Sequence, residues 1–321
     1  MTYLVTGGTG LIGTHVTRLL VQDGARVIIY DINPVRNLMM EELLRKQGRN
    51  NIEIIRGDVL DLPHLMHTVQ EYKVNRIIHM AALLPVACTA NPLAAARVNC
   101  IGTINILETA RILGIEKVVW ESSQTVFGSP EKYGQKEVTD DALHGPDSIY
   151  AATKSFNEPI AKHYFSQYGV DSIGLRPGLV YGAELRADGG GGSWFITKEL
   201  MVNPALGKPG EITLGFSSAD WMYVEDAARA IVMASKTKTT KTRVFNVTGD
   251  FRTLTEAVDY VKKLIPDAKL TVKPGPNIPM VKRDSTGAKE EIGYESQWTM
   301  EQGIEKTIRD VRDGIAKSTA V

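Results

Sequence analysis

The chain has 321 residues, 43% of them apolar, with 37 basic and 37 acidic side chains and zero formal net charge. That length suits one large α/β domain, or a domain with a smaller lobe. The charge balance gives no electrostatic reason to expect a nucleic-acid or membrane-surface partner.

Met1 runs almost at once into an apolar stretch, which leaves no room for a signal peptide. The longest apolar run, from Ile77 to Ala90, is interrupted by His79 and Pro85 and is too short to cross a bilayer. Cys88 and Cys100 are the only cysteines, and they form neither a disulfide framework nor a metal-ligand spacing. They are expected to serve packing in a reducing cytoplasm, with no metal site.

Tyr3-Leu4-Val5 reads as a buried strand, and Leu11 to Leu20 carries apolar residues at helical spacing. Between them lies Thr6-Gly7-Gly8-Thr9-Gly10-Leu11-Ile12-Gly13, in which Gly8, Gly10 and Gly13 satisfy G-x-G-x-x-G. A strand, a glycine turn and a helix start together suit a dinucleotide pyrophosphate, which the first amides of the helix would face. Val27-Ile28-Ile29-Tyr30-Asp31 reads as the second strand. An acid at its end accepts from the ribose 2′-hydroxyl of NAD and repels a 2′-phosphate, so Asp31 favours NAD over NADP. Arg36, a few residues on, softens that preference.

Pro34 to Gly48 is expected to be helical and Ile52 to Ile55 a strand, with Asp58 at the sheet crest where ligands bind. Asp58 suits either an adenine contact or the cap of the next helix, a job for which Asp61 competes. Arg76 to Ala82 reads as a fourth strand ending in Ala81 and Ala82, small enough to let a cofactor lie on the backbone. His79 within it is expected to be a packed, hydrogen-bonded residue. Asn91 to Gly114 reads as a long helix, in which a buried Asn99 needs partners.

Lys117 to Trp120 is a fifth strand that delivers Glu121-Ser122-Ser123-Gln124 to the same crest. Tyr150-Ala151-Ala152-Thr153-Lys154 opens a helix running to about Tyr168, which puts Tyr150 and Lys154 one turn apart on one face. A free phenol titrates near pH 10, and a neighbouring ammonium favours its phenolate. Ser123 can hold a substrate oxygen while Tyr150 exchanges a proton with it. Ser172 to Leu175 continues the sheet, running on through Arg176 to Gly182. Residues 183 to 222 change character, with Gly189 to Gly192, Trp194, Pro204 and Pro209, and read as an inserted lobe. The glycine run suits a hinge or an idle surface loop equally. Helices are expected over Val224 to Lys236, Thr253 to Ile265 and Thr299 to Lys317, and strands over Val244 to Val247 and Leu270 to Val272.

These motifs, in this order, resemble the extended short-chain dehydrogenase/reductases of the NAD-dependent epimerase/dehydratase group. The likeness runs through the glycine loop, Asp58-Val59, His79 to Ala82, Asn99, Ser122 to Gly128 and Tyr150 to Lys154. It continues through Arg176 to Gly182, Tyr223 to Asp226 and Asp284 to Gly293. It implies an α/β, Rossmann-type doubly wound parallel sheet with a smaller C-terminal substrate lobe. Residues 1–180 with 220–250 would form the NAD-binding domain, and 181–219 with 251–321 the substrate lobe. Tyr150 would be the catalytic acid/base, Lys154 its tuner and nicotinamide-ribose ligand, and Ser123 the anchor of the substrate oxygen. The NAD-binding set would be Gly7, Gly10, Leu11, Ile12, Gly13, Asp31, Asp58, Val59, Ala81, Ala82, Asn99, Tyr150, Lys154 and Pro177. A homodimer is implied, through the helices at 91–114 and 150–168.

The substrate expectation rests on departures from the pattern. Relatives acting on nucleotide-diphosphate sugars usually carry an arginine just before the acid at Asp220, and this chain has Ala219. The glycine run and Trp221-Met222-Tyr223 resemble relatives that oxidise small hydroxy compounds, such as the short-chain type of threonine dehydrogenase. Glu121 and Gln124 make the surroundings of Ser123 more polar than usual. An NAD-dependent dehydrogenase of a small or unactivated sugar-like alcohol is therefore preferred, with a nucleotide-sugar epimerase holding NAD as the alternative. A non-catalytic NAD(P) sensor is a distant third, because Ser123, Tyr150 and Lys154 are intact.

Overall fold

The computed structural model describes residues 1–34, 38–47, 51–134, 136–183, 192–214, 218–238, 240–275 and 280–318. Arg36, Gly48 and Gly189 to Gly191 lie outside these residues.

Short β-branched runs alternate with amphipathic helices, a pattern that buries both sheet faces only when the strands lie parallel beneath two helical layers. In chain order come β1 (Thr2–Thr6), α1 (Leu11–Gln22), β2 (Arg26–Asp31), α2 (Leu38–Gln47), β3 (Ile52–Arg56), α3 (Leu62–Glu71) and β4 (Arg76–His79). A helical stretch follows as α4 (Pro85–Ala90), α5 (Pro92–Ala95), a π-helical segment (Ala96–Ile101) and α6 (Gly102–Leu113). Then come β5 (Lys117–Glu121), α7 (Ile149–Tyr168), β6 (Ser172–Arg176), β7 (Leu179–Tyr181), α8 (Gly192–Thr197) and α9 (Asn203–Ala205). The chain continues with β8 (Gly210–Leu214), β9 (Ser218–Tyr223), α10 (Val224–Lys236) and β10 (Val244–Asn246). It closes with β11 (Asp250–Thr253), α11 (Leu254–Leu264), β12 (Leu270–Pro274) and α12 (Met300–Ser318).

The central sheet has the order β3-β2-β1-β4-β5-β6-β10, with every pairing parallel. This is the doubly wound Rossmann-type architecture expected. Its strand order reverses between β1 and β4, and ligands of such sheets bind in the crevice above that point. Period-two alternation sends neighbouring residues to opposite layers. Val5, Ile29, Ile78 and Val119 pack with α1 and α10, while Leu4, Ile28, Ile77 and Val118 pack with α3 and α6. Each such aliphatic side chain contributes about 1.5–3 kcal/mol by burial.

Three local differences from the sequence reading matter for the site. β4 ends at His79; the Met80 amide still donates to the Thr6 carbonyl at 3.1 Å, and the Met80 and Ala81 amides both reach the Thr6 hydroxyl at 3.2 Å. Asp61, not Asp58, caps α3, by accepting from the His64 amide. β7 is not a continuation of the central sheet but pairs with β9, which pairs in turn with β11.

Candidate functional site

The crest of the central sheet above β1 and β4 is lined by backbone that tolerates no side chain. Gly7 has φ +66°, a left-handed conformation, and a Cβ there would lie 2.9 Å from the Ala81 amide nitrogen. A Cβ on Gly13 would lie 2.5 Å from the Gly7 carbonyl oxygen and 2.6 Å from the Gly8 Cα. These glycines hold the loop tight against both the helix start and the residues after β4. Gly10, the N-cap of α1, provides no side-chain cap, so the half-buried Leu11 and Ile12 open a helix whose first amides lack a capping side chain. Uncapped amides at the positive end of a helix suit a pyrophosphate.

Asp31 ends β2 beside this loop. One carboxylate oxygen accepts from the Thr9 hydroxyl at 2.8 Å and the Thr9 amide at 3.3 Å, and the other from the Asn33 amide at 3.1 Å. Thr9 thus fixes the carboxylate, a role that nothing in the glycine spacing signals. Further along the crest, Asp58 accepts from the Leu60 amide at 2.9 Å, and buried Val59 packs where Gly102 leaves room. Ala81 and Ala82 are half-buried after β4. A side-chain-free cradle and a fixed terminal acid together fit a dinucleotide.

His79 is structural, as expected. Its Nδ1 lies 2.8 Å from the Thr6 hydroxyl and its Nε2 3.1 Å from the Thr103 hydroxyl. Burial, with Lys154 adding to it, drives its pKa down to about 3, so the ring is neutral. Asn99 is buried on the π-helical segment. It accepts from the Leu83 amide at 2.8 Å and donates to the Leu83 carbonyl at 3.0 Å and the Thr153 hydroxyl at 3.1 Å. The Asn99 carbonyl, inside the wider π turn, accepts from the Thr103 hydroxyl and the Asn157 side chain at 2.7 and 2.9 Å. Asn99 is therefore a strut joining the loop after β4 to α7. Cys88 packs beside it, fully buried.

Ser123, Tyr150 and Lys154 do come together. Ser123 lies just beyond β5 in extended backbone, and Ser148 caps α7 by accepting from the Ala151 amide, which fixes where Tyr150 starts its turn. Ser123 is near enough to the Tyr150 phenol to favour its phenolate, against the effect of burial. The Ser123 hydroxyl accepts from the Thr125 hydroxyl at 3.0 Å. Lys154 is buried, its Nζ 5.7 Å from the Tyr150 ring centroid and 2.7 Å from the Glu121 carbonyl oxygen, to which it donates. Burial, followed by the Glu121 carboxyl, raises the Tyr150 phenol above its ordinary value, and burial lowers Lys154. The sequence reading expected the ammonium to favour the phenolate. In the ligand-free chain burial prevails instead, and Tyr150 is a phenol.

Beneath Ser123 lies a buried network that no spacing rule pointed to. The Ser122 hydroxyl donates to Glu158 at 2.7 Å, and Glu158 pairs with Arg176 at 2.6 Å and with His144 at 3.0 Å. Burial pushes the Glu158 carboxyl up, but Arg176 and His144 outweigh it and hold it at about 2. Pro177 follows β6, and its carbonyl accepts from the Gln124 amide at 3.4 Å. On the far side, Ala219 is fully buried in β9 and sits across from Arg252 of β11. Arg252 pairs with Glu256 at 2.9 Å and Glu301 at 3.0 Å. Arg283 is buried, pairs with Asp220 and donates to the Arg176 carbonyl.

A family model described as GDP-mannose 4,6 dehydratase matches residues 4–307. The chain belongs to this family, one of NAD-dependent epimerases and dehydratases. It is 29% identical to UDP-glucose 4-epimerase of Mycolicibacterium smegmatis, over 98% of this chain and 99% of that one. Its fold matches the Thermus thermophilus UDP-glucose 4-epimerase complex with NAD at a TM-score of 0.83, with 24% identity and 97% and 99% of the two chains covered. A partial-consensus L-threonine 3-dehydrogenase matches equally, at a TM-score of 0.83 with 21% identity and 98% and 100% coverage. Among the described residues no helix is long and apolar enough to cross a membrane, and no cluster of His, Cys, Asp or Glu could hold a metal ion.

Proposed function

We propose that this family member is an NAD-dependent dehydrogenase of a small secondary alcohol. The observation that carries the reading is the surroundings of Ala219. Where nucleotide-sugar relatives usually carry a diphosphate-gripping arginine there is a buried methyl, and both neighbouring arginines, Arg252 and Arg283, are committed to carboxylates. A missing bidentate phosphate ligand weakens diphosphate binding by a large factor. UDP-glucose is therefore expected to give no thermal shift beyond that of NAD alone, as read by differential scanning fluorimetry. A clear UDP-glucose shift would move the assignment to a nucleotide-sugar epimerase. That second reading is favoured by the full-length likeness to a UDP-glucose 4-epimerase.

In this reading the loop of Gly7, Gly10 and Gly13 and the start of α1 hold the pyrophosphate. Asp31 accepts from the adenosine ribose 2′-hydroxyl, and Asp58 and Val59 border the adenine. Ala81, Ala82 and Pro177 line the path to the nicotinamide, with Asn99 bracing it from below. NAD bound there supplies the hydride acceptor. Ser123 donates to the substrate oxygen and orients the carbinol, Tyr150 holds and moves the hydroxyl proton at its phenolic oxygen, and Lys154 fixes the nicotinamide ribose.

Asp31→Ala is expected to weaken NAD about tenfold while leaving NADP almost unchanged, because only the 2′-hydroxyl loses an acceptor. Dissociation constants by fluorescence titration decide it, and an unchanged ratio would remove Asp31 from this role. A second copy of the chain also fits the apolar residues exposed on α4 to α7, among them Val86, Leu93, Ile101 and Phe156. Sedimentation equilibrium is expected to return a dimer.

A further inference from the structure

Glu121 is a carboxylate for which the mechanism above has no use. It ends β5, two residues before Ser123 in extended backbone, so the two side chains project to the same side of the chain. Ser122 between them points the other way, to Glu158. The Glu121 Oε1 is buried and finds no hydrogen-bond partner among the described residues. The nearest cation does not satisfy it, since Lys154 donates to the Glu121 main-chain carbonyl. A lone buried acceptor is costly unless something the site binds compensates it.

We propose that the Glu121 carboxylate is a specificity-determining group, which makes the site prefer the oxidised, cationic nicotinamide over the reduced, neutral one. The inference rests on the placement of the nicotinamide beside Ser123, Tyr150 and Lys154 given above. It deepens the dehydrogenase reading. A site that holds the cation better than the neutral form lets NADH leave after oxidation, whereas an epimerase must retain the reduced cofactor until the hydride returns.

The groups acting on Glu121 are on α7: the Lys154 ammonium and the Tyr150 phenol. Behind them, the Cys88 and Cys100 thiols are raised by burial and stay neutral. Burial pushes the Glu121 carboxyl up to about 7, with Lys154 pulling the other way. A cation beside it stabilises the carboxylate and lowers that value in the NAD⁺ complex, whereas NADH brings no such charge. NAD⁺ affinity should therefore rise with pH up to about neutrality and then level off, while NADH affinity lacks this rise.

The test is to titrate NAD⁺ and NADH separately into the wild-type chain and Glu121→Gln, by calorimetry between about pH 6 and 8. The expected result is a wild-type NAD⁺/NADH affinity ratio that climbs with pH. In Glu121→Gln, NAD⁺ affinity falls about tenfold, NADH affinity holds, and the ratio becomes independent of pH. A wild-type ratio flat with pH, or equal losses for both nucleotides in the variant, overturns the inference and leaves the dehydrogenase reading standing. Binding of neither nucleotide to the wild type overturns the cofactor placement, and the inference with it.

Discussion

Tyr150→Phe is expected to lower kcat by about a thousandfold, the range lost when a positioned general acid/base is removed. The substitution deletes one oxygen and leaves a ring of the same shape, so α7 and the crest keep their geometry. What disappears is the hydroxyl beside Ser123, the group that takes the carbinol proton in this mechanism. NAD affinity should stay within about threefold, because the pyrophosphate loop, Asp31 and Lys154 are untouched. Initial rates of NADH formation and a separate NAD titration resolve the two effects. A variant with near wild-type kcat would remove Tyr150 from the reaction. Lost binding together with lost rate would make it a structural residue.

Arg283→Met should cost about 3–5 kcal/mol of stability, the usual effect of stranding a buried charge. The guanidinium is fully enclosed, pairs with Asp220, and donates to the carbonyls of Arg176 and Val247. Among the described residues, Asp220 would keep the Gly249 amide alone as a donor. For a chain of this size the loss appears as a fall in Tm on the order of 10 °C. Adding Asp220→Asn should recover part of it, because the stranded carboxylate is then neutral. If Arg283 instead gripped a substrate phosphate, its loss would raise KM at unchanged Tm. That pattern would contradict the argument drawn from Ala219.

The parts of this fold that were legible in the sequence are those set by local pattern. The β1–α1 unit announces itself because strand, glycines and helix periodicity agree. That Tyr150 and Lys154 share one face follows from helical spacing, and His79 and Asn99 could be recognised as polar residues that need buried partners. Their partners could not be named, because Thr6, Thr103, Leu83 and Thr153 meet them only through tertiary contact. The same limit hid the Ser122–Glu158–Arg176–His144 network. β7 looked like an extension of β6 because both are apolar and consecutive. Register decides which sheet a strand joins, and register is a non-local property. The state of Tyr150 is hidden from the sequence for an energetic reason. The motif displays the ammonium but not the burial that outweighs it.

The central claim is net, NAD-linked oxidation of a small alcohol, and absorbance of NADH tests it most directly. Purified chain and NAD would be mixed in turn with hydroxy acids, threonine, free sugars, sugar acids and UDP-sugars. NADH is expected to accumulate with a small alcohol, and Tyr150→Phe to abolish the signal. No NADH with any of them, together with conversion of a UDP-sugar to its epimer, would contradict it.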